Sequence, residues 1–440
     1  MGIMKNLKNK NVLVYGLSVS GVWCTKLLQK QKVNIFLFDD NQEKLINIGI
    51  KKCTILSMID ANTIKSMSLI IVSPSIEKEN RVIKLANKYG VQVMSELEFS
   101  SQFCKNLVAV TGTNGKTTTV ELITAILCKK QKAVACGNIG YPLSKAVLKN
   151  KSSIKVAEVS SFMLENAQTF NPKVATVLNI EEDHLIRHKT MEEYIKLKMS
   201  IFKNLTASDF AVVNLDLNIT PETNAEVVSY SYSHPAHVRV KNGAIYLLGT
   251  KIVNLNELKI KGKHNIYNAM CAICYGYIFK VKPIKMREAL INFKPDRFRN
   301  ELVAEVNGIK FINDSKSTNI ASTLASTESC KGAIILMLGG SKKDLDYNVL
   351  FNKLTKRVKH IVAFGEIAQN INEANTGKFS IEICQNLSSA FDFAVGLAQK
   401  NDTILLSPSS ASYDEFSNYI ERGKKFNEKV KDYETKISKT

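Results

Sequence analysis

The sequence predicts an α/β chain of three domains, each built on a mostly parallel, doubly wound sheet. Three observations predict it. The chain has 440 residues, room for two to four domains of roughly 100–200 residues each. Strand-like and helix-like patterns alternate along nearly the whole length. Glycine-bearing loops follow directly on apolar strands, the usual place for a ligand in such sheets.

Residues 11–16 (NVLVYG) read as a buried strand and 20–30 (SGVWCTKLLQK) as the helix after it. Further strands are expected at 33–40 (VNIFLFDD) and 68–74 (SLIIVSP), and a helix at 77–90 (EKENRVIKLANKYG) that stops at glycine. This is the rhythm of a Rossmann-like domain over residues 1–95. The central domain, 96–295, opens at NLVAVTG (106–112) and continues through strands at 155–161 (KVAEVSS), 174–180 (VATVLNI) and 209–215 (DFAVVNL). A less regular β-rich stretch at 237–249 and a helix after GKHNIYNA (262–269) close it. The C-terminal domain, 296–440, is again Rossmann-like, with strands at 332–340 (GAIILMLGG), 360–365 (HIVAFG) and 402–408 (DTILLSP).

Composition excludes several classes. The net charge is +20, but 52 of the 60 basic residues are lysine, spread over the chain. Readers of nucleic acid lean on arginine, whose planar fork pairs bases and phosphates. No nucleic-acid partner is therefore expected, and the charge favours anionic small molecules. No apolar run approaches the ~18 residues of a membrane span. The N-terminal apolar stretch is broken by Gly16, Ser18, Ser20 and Gly21 with no small-x-small site after it, so no signal peptide is expected. The nine cysteines show no framework spacing. Cys271 and Cys274 form C-x-x-C in a helical pattern without a second pair. They read as buried free thiols in a reducing cytoplasm, and the protein as a cytoplasmic monomer.

The chemistry centres on VAVTGTNGKTTT (108–119). An apolar strand runs into a short phosphate loop, G-x-x-G-K-T-T, made by Gly112, Thr113, Asn114, Gly115, Lys116, Thr117 and Thr118. Backbone N–H groups at a helix N-terminus attract anions, and Lys116 adds a point charge. A threonine hydroxyl here suits Mg²⁺. The middle domain is thus of P-loop ATPase type. Glu158 closes one strand, and Asp183 and His184 follow the next. In a parallel sheet these acids would converge on bound phosphates.

TGTNGKTT, GNIG (137–140), EVSSF (158–162), DH…RH (183–188), YIKLKMSIF (194–202), GKHNIYNA, DRF (296–298), NDSKSTN (313–319) and LGG (338–340) occur in one order. Over essentially its whole length the chain resembles the Mur ligase family, the ATP-dependent amino-acid ligases of peptidoglycan precursor synthesis. YGLSVSG (15–21), LGGSKKDLDY (338–347) and SPSSASYDEFSNYIERGKKF (407–426) are most similar to its D-glutamate-adding members. The D-N-P-R tetrapeptide usual in the diamino-acid-adding members is absent. An alternative is a folylpolyglutamate synthase-like ligase, although such enzymes carry their ATP loop near the N-terminus, and here about 110 residues precede it.

The resemblance implies three domains for UDP substrate, ATP and amino acid in turn, with an acyl-phosphate intermediate. The substrates implied are UDP-N-acetylmuramoyl-L-alanine and D-glutamate, with ATP and two Mg²⁺ ions. Lys116 matches the lysine that stabilises the moving phosphoryl group. Thr117 and Glu158 match ligands of one Mg²⁺, and His184 of the second. Lys198 matches the family's carbamylated lysine, the spacing from Tyr194 favouring it over Lys196. Asn268, Arg297 and Asp314 match contacts to ATP, and Asn138 a contact to the substrate's phosphates or acyl region. Lys316, Thr318, Lys343 and Ser412 match the pocket for the D-glutamate carboxylates, with Tyr419, where phenylalanine is common, beside it. Ser20, Asp39, Asp40 and Asn41 match the uridine site, next to Ser18, where relatives often have glycine.

Overall fold

The computed structural model describes residues 7–46, 50–217, 219–294, 298–342 and 345–438. Arg297 and Lys343 lie outside these described residues. Three sheets are formed. The first holds β1 (Asn11–Tyr15), β2 (Asn34–Phe38), β3 (Thr54–Ile55), β4 (Leu69–Val72) and β5 (Gln92–Ser95). All its strands are parallel, in the order β3-β2-β1-β4-β5. β4 is a run of four buried apolar residues, as a strand covered on both faces must be. The helix expected at 77–90 is shorter, Arg81–Lys88, because the Asn80 side chain accepts from Val82 N at 2.8 Å and sets its start.

The central sheet has nine strands. They are β6 (Leu107–Thr111), β7 (Ala133–Gly137), β8 (Ile154–Glu158), β9 (Val174–Val177), β10 (Phe210–Asn214), β11 (Glu226–Ser231), β12 (Val238–Lys241), β13 (Ala244–Leu247) and β14 (Thr250–Asn254). Their order is β14-β13-β12-β11-β10-β9-β6-β8-β7, with β6 between β8 and β9. The chain thus reverses its direction of winding at β6, and the crevice this opens lies at the carboxyl ends of β6, β8 and β9. The irregular stretch at 237–249 is an antiparallel hairpin, β12–β13. Its turn is Asn242-Gly243, both at positive φ, which matches the twist of the strands it joins.

The third sheet holds β15 (Glu301–Val306), β16 (Ile309–Asn313), β17 (Ile334–Gly339), β18 (Val358–Phe364), β19 (Ser380–Cys384) and β20 (Thr403–Ser409). Its order is β15-β16-β20-β17-β18-β19, parallel apart from the β15–β16 hairpin. β16, β20 and β17 are adjacent and point the same way. The loops leaving them, NDSKSTN, SPSSAS and LGGSK, therefore emerge side by side.

The chain forms two compact units, one comprising residues up to Lys259 with Asn265–Phe293, the other Ile260–His264 with Lys294–Thr440. The first two sheets belong to one unit, and the short helix Glu96–Ser101 between them shows why. Its two carboxylates are buried. Glu96 Oε1 accepts from Ser144 N at 2.7 Å and Ser100 Oγ at 3.1 Å. Glu98 accepts from Gln168 N at 3.0 Å, from Thr169 N at 2.6 Å and from the Thr169 hydroxyl. Burial raises the Glu96 pKa, and the hydrogen bonds from Ser144 and Ser100 act against that rise. Nearby, the Lys145 ammonium sits 5.1 Å from the Trp23 ring and 4.6 Å from the Tyr141 ring. It links the helix Val19–Leu28 to the helix Leu143–Lys149. Among the described residues, no helix is long and apolar enough to cross a membrane.

Glu98→Ala would remove the shared acceptor of three part-buried hydrogen bonds, from Gln168 N, Thr169 N and the Thr169 hydroxyl, and bonds to a charged acceptor contribute about 1.5–3 kcal/mol each at most. Urea unfolding should show the first unit destabilised by about 2–4 kcal/mol. A loss under about 0.5 kcal/mol would mean that water reaches those amides.

Candidate active site

The phosphate loop leaves β6 with Gly112 at φ 152 and reaches Gly115 at φ 79, immediately before the helix Lys116–Leu127. A Cβ on Gly115 would lie 2.6 Å from Asn268 Oδ1. The glycine is what allows Asn268, from the helix Lys263–Ile278, to close on the loop. From the end of β9, Asn179 holds the other side. Its Oδ1 accepts from Thr113 N at 3.1 Å and Asn114 N at 2.8 Å, and its Nδ2 donates to Asn114 O at 3.1 Å. Lys116 Nζ folds over the loop and donates to Gly112 O at 2.8 Å and Thr113 O at 2.7 Å.

Glu158, at the carboxyl end of β8, is buried beside this loop. Its Oε2 accepts from Thr117 Oγ1 at 2.6 Å and its Oε1 from Asn138 Nδ2 at 3.0 Å. Three residues singled out in separate motifs are thus in direct contact. Gly137 makes this possible, since a Cβ there would lie 2.2 Å from Glu158 O. Thr118 is buried in the first turn of the loop helix.

Lys198 lies on the helix Met191–Met199 with only 1% of its surface exposed, whereas Lys196 on the same helix is exposed. Lys198 Nζ donates to Gly112 O at 2.9 Å, so the loop carbonyl receives both lysines. Burial, then the like charge of Lys116, lowers the Lys198 pKa to about 6, with Asp183 opposing. Next to it, the Tyr194 hydroxyl pairs with Thr113 Oγ1 at 3.2 Å. His188 stacks on the Tyr194 ring at 5.2 Å, and its Nε2 pairs with Ser161 Oγ at 3.0 Å. Burial lowers the His188 pKa, assisted by the charges of Arg187 and Lys198. His184 itself is exposed, in the left-handed conformation at φ 58. It lies 3.5 Å from Asp183 and 4.8 Å from the Phe162 ring. Arg187 locks this segment by a two-pronged pair with Glu165, at 2.8 and 2.6 Å, and by donating to Ile76 O at 3.2 Å.

In the first sheet, Asp39 turns inward. Its Oδ2 accepts from Leu17 N at 2.6 Å and its Oδ1 from Asn41 N at 2.9 Å. Asp40 accepts from Tyr15 OH at 2.7 Å, and that bond together with burial raises the tyrosine pKa. Ser20 Oγ lies 3.2 Å from Ser18 Oγ and 3.5 Å from Ser73 Oγ. These residues gather at the carboxyl ends of β1, β2 and β4.

In the second unit, Asp314 follows β16 and is buried. Its carboxylate accepts from Ser326 Oγ at 2.6 Å, Ser407 Oγ at 2.9 Å, Asn300 N at 3.2 Å and the Ser317 hydroxyl. Burial raises its pKa, while the three serine hydroxyls act against that. Lys316 Nζ lies 5.3 Å from the Tyr419 ring, Ser412 is buried, and Thr318 is half-buried between them in sequence.

Family models match in three consecutive segments: a Mur ligase MurD-like N-terminal domain over residues 10–95, a Mur ligase middle domain over 110–276, and a Mur ligase glutamate ligase domain over 298–410. The chain is 36% identical to the UDP-N-acetylmuramoylalanine--D-glutamate ligase of Caldicellulosiruptor bescii, over 97% of this chain and 98% of that one. The chain belongs to the Mur ligase family. The ligase of the same name from Caldanaerobacter subterraneus is 34% identical over 97% of this chain and 99% of its own. Solved structures agree in fold. The UDP-N-acetylmuramate-alanine ligase of Thermotoga maritima is 17% identical with a TM-score of 0.62, covering 96% of this chain and 99% of its own. The MurF ligase of that organism, solved with ADP, is 15% identical with a TM-score of 0.61, over 97% of each chain.

Three residues quoted in the motifs without a role of their own, Asn179, Tyr194 and His188, brace the first unit's site in this Mur ligase, and a fourth, Arg422, joins loops of the second unit. Asn179 carried a signal in being a polar residue ending an apolar strand, next to the acids at 181–183. The others look in sequence like an ordinary helical tyrosine, histidine and arginine.

Gly115→Ala places a Cβ against Asn268 and demands a left-handed conformation, a strain of about 1–3 kcal/mol. It should lower the melting temperature and weaken ATP binding at least tenfold by calorimetry, while unchanged affinity would remove Gly115 from the nucleotide site. A second outcome concerns pH. Lys198 has a folded pKa of about 6, under its ordinary 10.5. Between these values the unfolded chain binds more protons than the folded one. This lysine therefore makes stability rise with pH across that window. Urea midpoints at pH 6.5 and 9 should show the rise in the native chain and a smaller one in Lys198→Met.

Proposed function

We propose that this Mur ligase joins D-glutamate to UDP-N-acetylmuramoyl-L-alanine, using ATP. The observation that carries the reading is the end-to-end similarity to ligases of that name, 36% identity over 97% of the chain. It goes together with a phosphate loop whose lysine, threonine and carboxylate are in register. In the reaction, an oxygen of the alanyl carboxylate forms a bond to the γ-phosphorus of ATP, and ADP leaves. The amino nitrogen of D-glutamate then attacks the acyl carbon. The tetrahedral intermediate expels phosphate, and the nitrogen loses its proton. Direct amide formation from a carboxylate in water is unfavourable, which is why the phosphoryl group must first be attached.

The chain's residues serve this by positioning and by neutralising charge. The loop amides of 112–118 cradle phosphate, and Lys116 supplies the charge that follows the moving phosphoryl group. Asn268 closes the loop, and Asn138 is held by Glu158 toward the UDP substrate. Ser20, Asp39, Asp40 and Asn41 form the uridine end. Lys316, Thr318, Lys343 and Ser412, beside Tyr419, receive the carboxylates of D-glutamate. Residues 1–95, 96–295 and 296–440 are the corresponding domains, and a reducing cytoplasm suits the nine cysteines.

Thr117, Glu158, His184 and Lys198 would hold two Mg²⁺ ions, which supply charge neutralisation on the phosphate oxygens. Among the described residues no three His, Cys, Asp or Glu side chains cluster as a metal cage. The Thr117 hydroxyl and the Glu158 carboxylate, in contact at 2.6 Å, offer the kind of oxygen donors that Mg²⁺ takes. Lys198 suits carbamylation, since its lowered pKa leaves the amine neutral near pH 7. The neutral nitrogen adds to CO₂ and releases a proton, leaving a negative group with two oxygens in place of the neutral amine.

With UDP-N-acetylmuramoyl-L-alanine and ATP present, phosphate release should be stimulated by D-glutamate and not by L-glutamate, L-lysine or L-alanine. Stimulation by another of these would overturn the substrate assignment. Lys116→Ala should lower turnover by ~10²–10³ with the fold intact. Lys198→Ala should be nearly inactive and Lys196→Ala active, in line with their burial. The opposite result would shift the assignment by two positions along the helix.

A further inference from the structure

Arg422 is among the largest fully buried side chains of the described residues. It lies on the helix Tyr419–Ile437, whose start is capped by Asn418. Its guanidinium donates to five oxygens. Nε reaches Ser315 Oγ at 3.1 Å, and Nη2 reaches Ser315 O at 2.9 Å and Ser410 O at 2.9 Å. Nη1 reaches Ala411 O at 3.1 Å and Gly339 O at 3.4 Å. Four of the five acceptors are backbone carbonyls. Among the described residues no carboxylate lies within hydrogen-bonding distance of it.

A buried arginine usually stands against a carboxylate, because an unpaired charge is costly to desolvate. Here the direct acceptors are mostly carbonyl oxygens at the ends of three strands, and Asp414, Asp314 and Glu415 support the charge from farther off. Those strands are β16, β17 and β20. Ser315 stands directly before Lys316 and two residues before Ser317-Thr318. Gly339 ends β17 inside the segment LGGSK, and Ser410 and Ala411 directly precede Ser412. The Ser315 hydroxyl also donates to Tyr419 O at 2.8 Å, tying in the first residue of the helix.

The second glycine of LGG is shaped to this arrangement. Gly340 has φ 131, and a Cβ on it would lie 2.0 Å from Ala411 O and 2.9 Å from Arg422 Nη1. Any larger residue would push apart the two loops that the guanidinium joins. The planar fork matters as much as the charge. A lysine has three donors on one nitrogen and cannot reach oxygens on both sides of a plane.

We propose that Arg422 is a positioning residue for amino-acid recognition. It pins the three loops that carry Lys316 and Thr318, the LGGSK segment, and Ser412 into one surface, and its buried positive charge favours dicarboxylate binding there. This rests on the assignment of those loops to the D-glutamate pocket. Burial lowers the Arg422 pKa to about 10, so the group stays charged at neutral pH.

The test uses the full chain and compares the native protein with Arg422→Lys and Ser315→Ala. The second variant removes one bridging hydroxyl and keeps the arginine, so it serves if the first fails to fold. Steady-state phosphate release is measured while D-glutamate, ATP and UDP-N-acetylmuramoyl-L-alanine are varied in turn. Hydrogen–deuterium exchange is followed over 315–319, 338–342 and 409–413. Arg422→Lys should raise the KM for D-glutamate at least tenfold, and Ser315→Ala at least fivefold. The KM for ATP and for the UDP substrate should stay within threefold, and exchange should quicken in all three segments. An unchanged KM for D-glutamate, or equal rises for all three substrates, would overturn the proposal. If the native protein does not respond to D-glutamate, the substrate assignment fails on its own. Exchange then decides for Arg422: coordinated quickening in the three segments supports the pinning role, and its absence overturns it.

Discussion

The contact that draws the first unit's motifs together is the buried carboxylate of Glu158, shared between Thr117 and Asn138. A carboxylate buried without partners would be costly. This one is met by a hydroxyl from the phosphate loop and an amide from GNIG. The meeting is a consequence of strand order. β8 lies between β6 and β7, all three parallel, so the loops after β6 and β7 flank the end of β8. Gly137 then removes the Cβ that would strike Glu158 O at 2.2 Å. A different strand order would leave the same three motifs with no common point.

A second constraint is the crowding of positive charge. Gly112 O accepts from both Lys116 and Lys198. Two ammonium groups at one carbonyl cannot both keep their full charge when one is buried, and the buried one is the one whose pKa falls. Tyr194 and His188 form the wall behind it, and Arg187 with Glu165 anchors that wall to the first sheet through Ile76 O. In the second unit burial lowers the pKa of Arg422 only to about 10, with the charges of Asp414, Asp314 and Glu415 opposing the fall, so this buried cation stays charged.

The main strands and the phosphate loop were legible in the sequence. Runs such as LIIV at 69–72 and IILMLG at 334–339 can satisfy their burial only inside a covered sheet, and G-K-T-T after a buried strand is a local signature. Elements with weak local signals were not marked. β3 has two residues, both exposed, and β19 is largely exposed at an edge. The helix near 77 was read too long because the capping preference of Asn80 is weaker evidence than the polar run around it. The attachment of the first sheet to the second was not visible either. Glu96 and Glu98 look like surface acids until their partners, some 50 to 70 residues away, are known.

By itself the sequence determined the local chemistry of this protein: which segments bury apolar faces, where glycine lets a loop turn toward phosphate, and which side chains can carry charge or ligate a hard cation. These properties act over a few residues and follow from side-chain type and spacing. Tertiary structure alone decided that Lys198 meets Gly112 O beside Lys116. It also decided that Asn179 holds the phosphate loop, and that one arginine gathers three loops. Those outcomes depend on groups far apart in the chain. Desolvation and hydrogen-bond satisfaction act on the surroundings of a side chain, and only the parallel order of the strands sets what those surroundings are.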